Sequence, residues 1–117
     1  MKDIILAIHC KWFKLIMRGQ KVAELRRQLP NHIQSGSRII FYFDGYLHGE
    51  AIVADVDRQP AAITAQKWAD FACLTEEQAL IYLQGGRSCG AILLEHPRRY
   101  DKPRKWCGAR PQNFIYF

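Results

Sequence analysis

The chain is poor in the features that usually announce a chemistry. Its four cysteines, Cys10, Cys73, Cys89 and Cys107, stand far apart with no CxxC pair, which excludes a zinc ribbon and argues for reduced thiols rather than a disulfide framework. None of the four histidines, His9, His32, His48 and His96, shows zinc-ligand spacing with another histidine or a cysteine, so neither a metal nor another cofactor is expected. Five prolines and the lack of any low-complexity tract or internal repeat exclude a disordered or fibrous chain. After Asp3 the opening "MKDIILAIHC" is apolar for only five residues, too short for a signal h-region or a membrane span. The expectation is a cytoplasmic protein without a membrane partner.

What is present is core and positive charge. With 117 residues, 49% of them hydrophobic, the chain has the size and composition of one packed domain spanning 1–117. Seventeen basic residues face eleven acidic ones, a net charge of +6, and the excess lies in two segments. Residues 9–27 hold Lys11, Lys14, Arg18, Lys21, Arg26 and Arg27 against Glu24 alone; residues 96–110 hold Arg98, Arg99, Lys102, Arg104, Lys105 and Arg110 against Asp101 alone. Each carries aromatics, Trp12 and Phe13 in the first, Tyr100 and Trp106 in the second. Basic charge interleaved with aromatic rings suits phosphate contact and base stacking, whereas a basic face kept for solubility would need no rings.

Periodicity arranges these segments. "IILAIH" reads as a buried strand, and "CKWFKLIMRG" switches to helical spacing, with Trp12, Leu15 and Ile16 on one face and Lys11, Lys14 and Arg18 on another. Gly19 suits the left-handed end of that helix. In "KVAELRR" a period of two puts Glu24 and Arg26 on one face of a strand, about 7 Å apart, and sends Leu25 to the core. Lys21, at the strand's start, is not bound by the alternation. "RIIFYF" and "YLHGEAIVADVD" flank Asp44-Gly45, a strong hairpin signal. Residues 61–72 and 75–84 read as helices, the second with Thr75 and Gln78 as a capping box and Gly85-Gly86 as its end. "GAILLEH" reads as a strand that Pro97 ends, "RRYDKPRKWCGARPQ" as a basic loop, and "NFIYF" as a last strand. A small mixed or barrel-like sheet with flanking helices, an α+β fold, accommodates this order.

"IHCKWFKLIMRGQKVAELRR", a helix followed by G-x-K-x-x-E-x-R, resembles the signature of the ASCH domain, a branch of the PUA-like superfamily. "FYFDGYLHGEAIVADV" resembles that family's hairpin and "YDKPRKWCGARPQNFIYF" its closing segment, so the likeness spans nearly the whole chain. It implies a small PUA-like β-barrel with helices beside a cleft at the motif strand, and handling of RNA or modified nucleosides. On that reading single-stranded RNA or a nucleotide is the partner. Lys21, Arg26 and Arg27 offer donors to phosphate, Glu24 holds one of them or accepts from a base edge, and Lys11, Arg99 and Gln112 add contacts. Tyr100 or Trp106 stacks a base, Trp12 stacks or belongs to the core, and Asn113 joins Gln112 in reading a base edge.

The alternative is an RNA-processing or nucleoside-directed hydrolase, a ribonuclease or amidohydrolase, using Lys21 and Glu24 in the same cleft, with His9 a possible imidazole. The amidohydrolase relatives carry a threonine nucleophile three residues after the motif lysine, where this chain has Glu24, so acyl transfer of that kind, on N4-acetylcytidine for example, is expected to be weak. Thr64 and Thr75 lie in other segments, and Asp70, Glu76 or Glu77 are the candidates for a cooperating acid.

Overall fold

A computed structural model describes residues 2–116. Six strands form one sheet in the order β2-β5-β4-β3-β1-β6: β1 (Ile4–Ala7), β2 (Ala23–Arg26), β3 (Arg38–Phe43), β4 (Tyr46–Arg58), β5 (Gly90–Lys105) and β6 (Phe114–Tyr116). Three helices join it, α1 (Cys10–Met17), α2 (Ala61–Trp68) and α3 (Glu76–Leu83), with one 3₁₀ turn at Asp70–Ala72. Among the described strands β1 and β3 pair in parallel and the other ladders are antiparallel, and an isolated parallel bridge joins Gln28 to Ser88. No helix among the described residues is long and apolar enough to cross a membrane.

The sheet curls until its two edges nearly meet. The Tyr116 hydroxyl on β6 accepts from the amides of Asn31 and His32, just beyond β2, at 2.9 and 3.1 Å, and the Asn113 side-chain amide donates to the Gln28 carbonyl. Side chains, not a ladder, thus close the seam of a half-barrel. Its interior is filled by Ile4, Leu6, Phe13, Ile16, Phe41 and Val53 among others, all buried. A second core lies under α2 and α3, where Ala23 and Leu25 meet Ala65, Ala79 and Leu83. The alternation that sends Leu25 inward is therefore the observed one.

The Asp44-Gly45 hairpin forms with both residues at positive φ, 53° and 84°, the geometry that favours this pair. The α3 capping box is complete: Thr75 Oγ1 accepts from the Gln78 amide at 3.1 Å and Gln78 Oε1 from the Thr75 amide at 2.9 Å. Helix 61–72 is divided: α2 ends at Trp68, the chain tightens into the 3₁₀ turn at Asp70–Ala72, and Cys73, left-handed at φ 62°, ends that turn.

The larger departure is after Pro97, where a strand replaces the expected loop. β5 runs through Pro97 to Lys105 because His96, at φ 51°, and a register shift opposite Glu50–Ile52 form a bulge that needs no amide from the proline. Further on, Arg99 faces Gly49 and Arg104 faces Leu47, so the register shifts by three residues between these two pairs. A Cβ on Gly49 would lie 2.7 Å from the Arg98 carbonyl and 3.0 Å from the Phe13 ring, so this crossing of strand and helix requires glycine.

Candidate functional site

Gly19 ends α1 at φ 76°, and the amides of Gln20 and Lys21 both turn back to the Leu15 carbonyl. Lys21 therefore sits at a hinge between helix and strand, and its side chain swings to the same side as Glu24 and Arg26. The three form one buried ion cluster. Lys21 Nζ lies 3.2 Å from Glu24 Oε1, while Arg26 donates to Glu24 Oε2 at 3.2 Å. Lys21 is 3% and Glu24 6% exposed, so each carboxylate oxygen has its own cation and the cluster carries one net positive charge.

Backbone groups complete it. The Lys21 ammonium also donates to the Ala72 carbonyl at 3.1 Å and lies 5.0 Å from the centre of the Trp12 ring. Arg26 reaches across the seam to the Ala7 carbonyl and to the side-chain oxygen of Asn113. Three of the five Arg26 N–H donors are thereby engaged within the protein, as are two of the three on Lys21.

The cluster forms one wall of a cavity of about 480 Å³ at the seam. Trp12 from α1, Leu74 and Tyr82 from the α3 side, and Ile8 supply apolar surface; His9, Gln78 and Gln112 supply polar groups. Gln78 Oε1 is held by its helix cap, which leaves its side-chain N–H₂ as a donor. The Tyr82 phenol is raised above its ordinary value of 10.0, first by desolvation and then by the Glu24 charge, with Arg26 and Arg27 opposing. It stays neutral at physiological pH.

Of the residues expected at the site, Lys21, Glu24, Arg26, Trp12 and Gln112 converge on this cavity together with His9. Arg27 does not: it alternates to the face of Leu25, away from Glu24 and Arg26, just past the end of β2, where it is exposed and its guanidinium lies near Gly85 at the end of α3. Lys11 is exposed and rests over the Trp12 ring at 4.8 Å, outside the cavity lining. Arg99 lies over Phe13, 5.0 Å from the ring centre.

Tyr100 is corrected from a stacking ring to a core residue. It is 6% exposed, packs with Ile5, Ile40, Tyr42 and Leu47, and donates its hydroxyl to Glu50 at 3.0 Å. Trp106 joins the edge of that cluster and donates to the Ala109 carbonyl, pinning the following turn. Asn113 is engaged at both ends of its amide, so it clasps the seam instead of reading a base. Asp70, Glu76 and Glu77 are exposed and do not line the cavity; from that region only the Ala72 carbonyl reaches Lys21. Thr64 donates to the Gln59 carbonyl elsewhere, and Thr75 serves the α3 cap.

Sequence reasoning missed Leu74, Gln78 and Tyr82. Gln78 and Tyr82 stand at i and i+4 on one face of α3, a pairing that identifies a shared face but not what that face meets. A second, shallower hollow lies beside Arg58, Pro60 and Arg87. Among the described residues no group of three or more histidines, cysteines or carboxylates is placed to hold a metal ion.

A family model described as the ASCH domain matches residues 6–115. The chain belongs to the ASCH domain family. Among solved structures, the crystal structure of an ASCH protein from Zymomonas mobilis superimposes with a TM-score of 0.84 at 20% identity, covering 99% of this chain and 87% of that one. A tyrosine-to-phenylalanine variant of the same protein gives 0.86, again at 20% identity, with 100% and 91% covered. A serine-to-alanine variant gives 0.84 at 20% identity, with 99% and 88% covered. At that identity the likeness is one of fold, and the α+β architecture expected for an ASCH domain is the one found. No curated protein matches the chain.

Proposed function

We propose that this ASCH domain binds RNA by taking one unstacked nucleobase into the seam cavity. The observation that carries this is the Lys21–Glu24–Arg26 cluster, buried in a cavity that also presents Trp12 and Tyr82. A buried ion cluster is no more stable than well-packed apolar side chains of similar volume, so its presence beside an open cavity favours a binding role. Glu24 is a ready acceptor for base N–H groups, the third Lys21 N–H a donor to a ring nitrogen or carbonyl, and the aromatic side chains supply stacking surface. Arg26, expected from the sequence to contact phosphate, directs three of its five N–H donors to Glu24, Ala7 and Asn113, which leaves two for a ligand group at the cavity wall.

The hydrolytic alternative has less support. Tyr82 supplies the one hydroxyl among the side chains lining the cavity, and its phenol is held neutral, so an acyl-transfer nucleophile beside Lys21 is lacking. Anisotropy of a labelled single-stranded RNA, with nucleoside monophosphates as competitors, tests the binding reading. Lys21→Met is expected to lose about tenfold or more in affinity, the effect of a charge-assisted hydrogen bond, while Lys14→Ala on the exposed face of α1 loses little. Equal losses, or no binding by folded protein at low salt, contradict the proposal. Efficient multiple turnover of N4-acetylcytidine, abolished in Lys21→Met, would favour the hydrolase instead.

A further inference from the structure

The second basic segment lies on a different surface from the cavity. β2 pairs with β5 only over Gly90–Leu93, and the Leu94 amide makes the last contact on that side, to the Val22 carbonyl. From Glu95 to Lys105 one edge of β5 therefore has no strand partner among the described residues, and every residue of that stretch except Tyr100 is exposed. It carries Arg98, Arg99, Lys102, Arg104 and Lys105 against Glu95 and Asp101.

The arginines are partly held in place. Arg98 donates to Glu50 at 3.1 Å, and the guanidinium groups of Arg98 and Arg104 lie 5.4 and 4.4 Å from the centre of the Tyr100 ring. Among the described residues no carboxylate lies within ion-pair distance of Arg99, Lys102, Arg104 or Lys105. Tyr46, 42% exposed, stands opposite Lys105 and is the exposed ring that Tyr100 had been expected to be.

We propose that this open β5 edge is a second contact surface that tracks the sugar–phosphate backbone of single-stranded RNA, so that the ligand of this domain is a polynucleotide rather than a free nucleoside. The choice of RNA rests on the nucleic-acid reading of the cavity; the existence of an anion-tracking surface does not. Charge complementarity favours a polyphosphate. A protein partner would need apolar anchors at the centre of the contact; of the large exposed apolar side chains, Ile63, Phe71, Ile81 and Tyr82 lie on the helical side and Tyr116 on β6, which leaves Tyr46 at one end of the ribbon and Val22, beside Leu94, at the other.

The test is the salt dependence of binding to a labelled single-stranded RNA of about 12 nucleotides, a length within the usual site range. The triple variant Lys102→Ala, Arg104→Ala, Lys105→Ala removes three charges from the exposed ribbon and none from the cavity. Its plot of log affinity against log salt is expected to flatten by about two units, at about 0.7 per lost phosphate contact on a single strand. A melt matching the parent's establishes folding, and Lys102→Glu, at the register shift between Arg99 and Arg104, repeats the test at one site.

Uptake of a nucleoside monophosphate is expected to be unchanged in the triple variant and lost in Lys21→Met, whose salt slope should survive. If the parent takes no mononucleotide but the triple variant flattens the slope, the ribbon stands and the cavity reading falls. An unaltered slope in both ribbon variants overturns the proposal, as does displacement of the RNA by polyglutamate at equal charge concentration, which would make the partner an acidic protein.

Discussion

Glu24 concentrates the chemistry of the site in one side chain, because a carboxylate 6% exposed between an ammonium and a guanidinium decides whether both cations are tolerated at the seam. Glu24→Ala leaves Lys21 buried beside a lone carbonyl and is expected to cost about 3–5 kcal/mol in a denaturant titration, the penalty for stripping one partner from a buried pair. A loss below about 1 kcal/mol would place the cluster with solvated surface pairs. At this scale the charges in "GQKVAELRR" were legible because period two joins Glu24 to Arg26 and Gly19 frees Lys21 from the alternation. Tyr100 was not, since its neighbours in sequence are polar and only the return of β5 beside β4 buries its ring.

Among the elements, the capped α3 and the hairpin at Asp44-Gly45 follow from local chemistry, whereas β5 depends on a bulge at His96 that no short-range signal encodes. The junction between β4 and α2 is fixed by Asp57. Its Oδ2 accepts from the Trp68 indole at 2.7 Å and pairs with Lys67 at 3.0 Å, and its Oδ1 accepts from Gln59. The Trp68 hydrogen bond, chiefly, holds the carboxyl below its ordinary 3.8 against a desolvation that opposes it, and Lys67 and Gln59 lower it further. Because the folded value is the lower one, the contribution is fully present above pH 3.8 and is lost as pH falls through the folded value. Asp57→Asn is therefore expected to be less stable than the parent near neutrality by about 1 kcal/mol, with the gap closing in acid. Thermal melts of both chains from neutral to acid pH measure it, and a constant gap would contradict the assignment.

On the scale of the whole molecule, function follows from how the sheet fails to close. Six strands curl until β2 and β6 face each other, yet Asn113 and Tyr116 bridge them with side chains, and the residual gap under α1 and α3 is the cavity. The α+β class and the flanking helices were readable from strand and helix periods, but the meeting of edges more than eighty residues apart in sequence was not. For that reason Leu74, Gln78 and Tyr82 escaped notice while Lys21, Glu24 and Arg26 did not. The two basic segments, which sequence alone could not arrange in space, are divided between the surroundings of the cavity and an open strand edge.

The most direct measurement is an amide-resolved NMR titration of the intact domain with nucleoside monophosphates. The expected result is saturable shifts centred on Trp12, Lys21, Glu24, Gln78 and Tyr82, with the amides of 98–105 little affected by a single nucleotide. Shifts confined to the β5 ribbon or to the hollow beside Arg58 and Arg87, or no saturable shifts at all, would contradict the assignment of the seam cavity as the base-binding site.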